Sequence, residues 1–385
     1  MHGRKKTSTV ASDAEVAAIQ RKAESLSETV QKFFELKKKG DKTDTTLEFT
    51  SKLLRINPDF YSVWNYRKEI LIFNNASLSV TAEHKSQLIV DNDLREKELK
   101  LSEDCIKKSP KSCKHKIVRI VHIAFGYNST HSTFETHSPD GAWHHRQWIL
   151  ERIETNYASE LELCRLLLTE DQRNFHCWCY RRFVAQTGGI LSQDEFNYST
   201  EKIDENFSNY SAFHHRSVYI QRIGIAARDI VESEFEIIEN AIYTEPDDQS
   251  SWWYHQFLLK WMAQAQLNIE ISDNAKSKDL KAYDDHKWFL SVLENQMNVM
   301  RGLLSVEVSS KWAMTSLCMM LEILLKAMCV NPQALPAGHS FMTTDHHVKE
   351  RQKLLGELCV VDPFHINRYK YLQSREVHLL TSTFR

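Results

Sequence analysis

Glycine and proline are scarce in this chain, at 10 and 7 among 385 residues, against ordinary usage of about 7% and 5%. These residues punctuate turns and break helices, so their shortage argues against a turn-dense β-sandwich or barrel and for long helices. Excess charge of one sign is also missing: Lys and Arg number 49, Asp and Glu 51. No overall basic field exists to attract nucleic acid or an anionic membrane, and any anion binding must be local. No window approaches the roughly 18 apolar residues of a transmembrane segment, and the opening MHGRKKTSTVASDAE has no apolar run of the signal-peptide kind. The eight cysteines form neither a CxxC pair nor a disulfide-like frame, which fits a reducing, cytoplasmic setting. The chain also lacks G-x-G-x-x-G, a P-loop, G-x-S-x-G and any zinc-ligand spacing, so no complete active site is visible.

What is present is a repeat. An aromatic residue, any residue, Tyr or His, and then Arg recur as Trp64-Asn65-Tyr66-Arg67, Trp143-His144-His145-Arg146, Trp178-Cys179-Tyr180-Arg181 and Phe213-His214-His215-Arg216, with a variant at Trp252-Trp253-Tyr254-His255. The last four are spaced by 35, 35 and 39 residues, the length of a helical hairpin. A second aromatic stands three residues earlier in several copies (Tyr61, Phe175, Tyr210), on what helical spacing makes the same face. Pro stands six residues earlier in two copies, Pro58 and Pro246. Amphipathic stretches between the copies, such as residues 158–171 and 232–248, supply the partner helices. Two degenerate copies follow, one opening at Lys311-Trp312 and one leading from Val361-Asp362-Pro363 to Tyr369. The prediction is an all-α fold, an α-α superhelix of six or seven hairpins. Residues 1–261 hold repeats one to five, 262–286 form a linker, 287–385 hold the degenerate repeats, and 331–345 form a Pro- and Gly-containing loop.

The paired histidines 144/145 and 214/215 invite a metal reading, but neighbours on a helix point about 100° apart and do not converge on one ion. The second His of each pair fills the place of Tyr66, Tyr180 and Tyr254, so it is a repeat position and no metal site is expected. Most of the repeated arginines are expected to tie one hairpin to the next through carboxylates and carbonyls.

The motif resembles the protein prenyltransferase α-subunit repeat. The blocks MHGRKK, NPDFYSVWNYRKEIL, GAWHHRQWIL, NFHCWCYRRFVA, NFSNYSAFHHRS and DDQSSWWYHQFLL are similar to α subunits of the Rab geranylgeranyltransferase family over residues 1 to about 260. The α subunits shared by farnesyltransferase and geranylgeranyltransferase type I are the alternative, and a helical-repeat scaffold without enzymatic function is the alternative of another class. The resemblance implies a heterodimer with a β subunit that holds zinc and the isoprenoid pocket, no cofactor on this chain, geranylgeranyl diphosphate as donor, and a Rab GTPase presented by a Rab escort protein as acceptor. It implies that Lys111, in Ser109-Pro110-Lys111-Ser112, is the catalytic cation beside the diphosphate, and that Asn174 and His176 face the substrate side of the cleft. It also raises the possibility of His2 reaching towards the partner's zinc. The immunoglobulin-like and leucine-rich-repeat domains of the larger animal members have no counterpart here; the first of them would insert at 262–286.

One departure stands out. The family pattern P-K-x-Y-x-x-W-H-H-R is broken after Ser112, and Gly141-Ala142-Trp143 resumes it with only the Tyr missing. The intervening residues, 113–140, show no amphipathic period and belong to no repeat. If Cys113-Lys114 are encoded TGT AAG and Pro139-Asp140 CCA GAT, splicing T|GTAAG to CCAG|AT removes 81 nucleotides in frame, creates a Tyr codon and yields PKSYGAWHHR. The segment therefore reads as a retained intron, with a true loop between helices as the alternative.

Overall fold

A computed structural model describes residues 13–78, 92–109, 141–153, 155–224, 228–272, 280–330 and 341–383. Among them the regular structure is helical: α1 (Asp13–Lys39), α2 (Asp44–Ile56), α3 (Tyr61–Leu78), α4 (Asn92–Lys108), α5 (Gly141–Leu150), α6 (Tyr157–Glu170), α7 (Phe175–Thr187), α8 (Ser192–Glu205), α9 (Tyr210–Ile223), α10 (Arg228–Thr244), α11 (Gln249–Ser272), α12 (Leu280–Val306), α13 (Lys311–Val330), α14 (Phe341–Val361) and, after a 3-10 turn at Pro363–His365, α15 (Ile366–Thr383).

The chain divides into two compact units, residues 1–189 and 190–385. In the first, α2 pairs with α3, α4 with α5 and α6 with α7. The second helices of these hairpins stack in order, α3 on α5 and α5 on α7, while α2 packs on α4. In the second unit α8 pairs with α9, α10 with α11, α12 with α13 and α14 with α15. Here α9 stacks on α11, α11 on α13, and α10 on α12. Each hairpin thus buries an apolar stripe that it could not cover alone.

Local chemistry explains where the motif-bearing helices begin. Asn174 caps α7 by accepting the Cys177 N–H at 3.1 Å, and Asn209 caps α9 by accepting those of Ser211 and Ala212 at 3.1 and 3.2 Å. Such caps satisfy donors that the first helical turn leaves open. The motif aromatics Trp64, Trp178, Phe213 and Trp252 are at most 1% exposed, and Trp143 is buried beside them. The indole N–H of Trp64 reaches the Pro58 carbonyl at 2.8 Å, that of Trp178 the Gln172 carbonyl at 2.9 Å, and that of Trp252 the Pro246 carbonyl at 2.7 Å. The residue six before the aromatic is therefore the acceptor that pins the turn, a role its backbone carbonyl fills whether the residue is Pro or Gln. The aromatics three residues earlier do not share the burial of the motif aromatics. Tyr61, Phe175 and Tyr210 stand at the first helical position and are exposed, since no preceding turn covers them.

The stretch 262–286, read as a linker, is helical at both ends: α11 continues to Ser272 and α12 begins at Leu280. Its sequence from Met262 to Ser272 contains neither Gly nor Pro to stop the helix. The two compact units adjoin in sequence at Gly189, where φ is +65°, next to Gly188. Similarly, α14 starts at Phe341, inside the stretch expected as a loop at 331–345, of which 331–340 lie outside the described residues.

Candidate functional site

The repeat positions build a buried polar device that recurs from hairpin to hairpin. In the first unit, Arg67 on α3 donates from Nε and Nη2 to the two oxygens of Glu98 on α4, the Nε bond being 2.8 Å, and from Nη1 to the Leu47 carbonyl at 2.7 Å and the Thr50 and Ser51 hydroxyls. His145 Nε2 on α5 lies 2.9 Å from the same Glu98. Arg146 repeats the grip on Glu160 of α6, at 2.8 Å from both Nε and Nη2, with Nη1 on the Leu99 carbonyl at 2.7 Å; Tyr180 of α7 donates to Glu160 at 2.7 Å. In the second unit Arg216 holds Glu234 in the same way, and Tyr254 donates to Glu234 at 2.6 Å. His215 Nε2 sits 2.9 Å from Glu195. Arg181 donates to the Leu161 carbonyl at 3.3 Å.

Glu98, Glu160 and Glu234 are each gripped by the arginine of the preceding hairpin and, from their own hairpin, by His145, Tyr180 and Tyr254, while Glu195 meets His215 of its own hairpin. Tyr180, His215 and Tyr254 each lie 20 residues beyond their carboxylate, whereas His145 lies 47 beyond Glu98. The variant copy replaces both charges: His255 stands where Arg is expected, and its Nε2 meets not a carboxylate but the Gln296 side-chain oxygen at 3.1 Å. Two neutral groups substitute for an ion pair at the same junction.

Electrostatics follow from burial and these partners. Burial alone would raise the Glu98 carboxyl, but the His145 and Arg67 hydrogen bonds outweigh it and hold it at about 2. Burial pushes His145 below the ordinary histidine range, against the pull of Glu98, so the imidazole is neutral and donates its Nε2 proton. Burial likewise takes His255 down to about 4. Buried, bidentate and fully engaged, these arginines are structural clamps. Among the described residues no three His, Cys, Asp or Glu side chains gather as metal ligands.

The outward side of the motif helices carries different chemistry. On α7, Phe175 is 64% exposed, His176 beside it is half-buried with the two rings 5.7 Å apart, and Arg182 Nη2 lies 3.2 Å from Cys179 Sγ. On α3 and α5, the Lys68 ammonium and the Arg152 guanidinium both lie over the Trp148 ring, at 5.6 and 4.6 Å. Burial, then the Arg152 charge, lowers the Lys68 pKa.

Comparison with known proteins interprets this repeat. The sequence profile of the protein prenyltransferase alpha subunit repeat matches residues 43–72, 157–188, 192–223 and 231–262. A Dictyostelium discoideum protein named geranylgeranyl transferase type-2 subunit alpha is 30% identical over 97% of this chain and 100% of its own length. The chain belongs to the protein prenyltransferase alpha subunit family. Family members of the same name from Rattus norvegicus and Homo sapiens are 34% identical over 67% of this chain, though the match spans only 42% of their length. A solved chain titled Candida albicans protein geranylgeranyltransferase-I complexed with GGPP covers 91% of this chain with 90% of its own, at a TM-score of 0.54 and 16% identity, a likeness of fold alone.

The four profile matches coincide with the hairpins α2–α3, α6–α7, α8–α9 and α10–α11. The hairpin α4–α5, whose helices are separated in sequence by residues 109–140, takes part in the same clamp, Arg67–Glu98–His145, but lies outside the matched ranges. Of the residues expected at the family's site, Lys111 and His2 lie outside the described residues. Asn174 is 1% exposed and serves as the α7 cap, whereas the adjacent His176 is on the accessible side of that helix. Carboxylate partners are expected from the sequence, but it does not single out Glu98, Glu160, Glu195 and Glu234. The fixed separation of 20 residues to Tyr or His in three copies is the signal that could have found them.

Proposed function

We propose that this chain is the α subunit of a Rab geranylgeranyltransferase, which transfers a geranylgeranyl group from geranylgeranyl diphosphate to carboxy-terminal cysteines of Rab GTPases in the cytoplasm. The observation that supports this reading most is the end-to-end match with the Dictyostelium type-2 subunit. The chain works as one half of a heterodimer whose β subunit carries the zinc and the isoprenoid pocket; no step of this chain's own chemistry passes through that metal. A Rab escort protein presents the acceptor. In the transfer, the cysteine reacts as thiolate, its proton already lost to solvent, and its sulfur forms a bond to C1 of the isoprenoid as the C1–O bond breaks and that bond's electron pair leaves with diphosphate. Negative charge grows on the leaving oxygens, and a cation already in place lowers that barrier. Lys111 supplies it, and His176 donates or accepts a hydrogen bond at the edge of the same site.

Lys111→Ala in the co-expressed heterodimer is expected to lower kcat for Rab prenylation by about 10²–10³-fold, as the removal of a preorganised charge-stabilising group does, with subunit assembly unchanged by gel filtration. Unchanged turnover would remove Lys111 from the mechanism. Failure to assemble with a prenyltransferase β subunit would favour the non-enzymatic scaffold, and modification of CaaX peptides without an escort protein would favour the farnesyltransferase-type α subunit.

A further inference from the structure

The second unit contains a cavity of about 570 Å³ that the clamps do not use, enclosed by α11, α12, α13, α14 and α15. That volume lies in the ~300–1,000 Å³ range of small-molecule sites. Its wall is apolar, formed by Phe289, Met319, Ile323, Leu355, Leu358 and Leu372, of which Phe289, Leu355 and Leu358 are nearly inaccessible. Four cations join this wall: Lys260, Lys326, Arg351 and Arg368. A single carboxylate, Glu322, answers them, and it is already divided between Lys326 at 2.8 Å and Arg351 at 2.9 Å. Lys260 on α11 and Arg368 on α15 are exposed and make no ion pair among the described residues. An apolar cavity is thus joined to an excess of positive charge, with two exposed cations on two of the helices that line it.

We propose that this cavity binds an amphipathic anion, a single aliphatic or isoprenoid chain with a carboxylate or phosphate head. The chain covers the partly exposed Met319, Ile323 and Leu372, over a floor of Phe289, Leu355 and Leu358, while the head meets Lys260 and Arg368. A neutral lipid alcohol leaves the excess charge unanswered, and a small inorganic anion leaves Met319, Ile323 and Leu372 in water. Only a molecule with both parts satisfies both halves of the cavity.

The test uses the full-length chain titrated with 11-(dansylamino)undecanoate, followed by dansyl fluorescence. One-to-one saturable binding is expected. It should weaken at least about tenfold in the double variant Lys260→Glu, Arg368→Glu, whose positions are exposed and unpaired, so its thermal unfolding midpoint should match the parent. Ala263→Phe, on a half-buried α11 position lining the cavity, should abolish the signal. Dodecanoate and dodecyl phosphate should displace the probe, their relative potency naming the head group, and dodecanol should do so at least about tenfold more weakly. Absence of saturable binding, parent-like binding by the double variant, or displacement by dodecanol as effective as by dodecyl phosphate would overturn the proposal.

Discussion

Arg216 shows what the recurrent arginine does. Its Nε and Nη2 engage both oxygens of Glu234, and Nη1 reaches the Phe196 carbonyl at 3.2 Å and the Ser199 and Thr200 hydroxyls at 3.1 and 2.7 Å. Replacing it by Met leaves Glu234 buried with Tyr254 as its remaining partner, so chemical denaturation should reveal a loss of about 3–5 kcal/mol. Tyr254→Phe removes one hydrogen bond to a retained ion pair and should cost only about 2 kcal/mol; equal costs would mean the arginine is not the dominant clamp. His255 makes a different prediction, because it is buried neutral with its pKa at about 4. The unfolded chain takes up the proton near 6.5 and the folded one does not, so its contribution is full above pH 6.5 and lost progressively as pH falls towards 4. In His255→Gln, which cannot titrate, stability measured by urea unfolding at pH 7, 5.5 and 4.5 should decline less steeply than in the parent.

At the scale of the element, the docking of α5 on α3 depends on a residue without a side chain. A Cβ at Gly141 would lie 2.6 Å from Trp64 Cδ1 and 3.0 Å from its Nε1, and Trp64 cannot give way because it is buried and bonded to the Pro58 carbonyl. Gly141→Ala should therefore destabilise the chain by about 1–3 kcal/mol, the usual penalty of overpacking, seen as a lower thermal midpoint; an unchanged midpoint would show that the contact relaxes. Much of this architecture was legible in the sequence, since the period of the aromatic motif marks the second helix of each hairpin. The carboxylate partners were hidden because the arginine-to-glutamate separation varies, at 31, 14 and 18 residues for Arg67, Arg146 and Arg216, with the length of the intervening loop. The helical character of 262–272 is not legible from repeat spacing, which is interrupted there, although the absence of Gly and Pro leaves the helix nothing to stop it. The cavity of the second unit had no signal at all, because its lining comes from five helices spread over more than a hundred residues.

At the scale of the whole molecule, the clamp is also a ruler. Wherever hairpins are joined by an ordinary turn, the polar residue that answers the carboxylate lies 20 residues further along the chain. Glu98 and His145 make the same bond at the same 2.9 Å as Glu195 and His215, but 47 residues apart. The surplus is 27 residues, and 27 codons are 81 nucleotides, the length that splicing between the codons of Cys113 and Asp140 would remove if they are encoded TGT AAG and CCA GAT as set out above. The clamp is kept across this surplus, so the second hairpin closes on the same bond as the 20-residue hairpins although its two partners lie further apart in sequence. Reverse-transcribed message spanning Cys105 to Arg152 should be 81 nucleotides shorter than the coding sequence implies, and would place a tyrosine directly between Ser112 and Gly141. A full-length message as the sole product would make the second hairpin a tolerated exception to its own repeat.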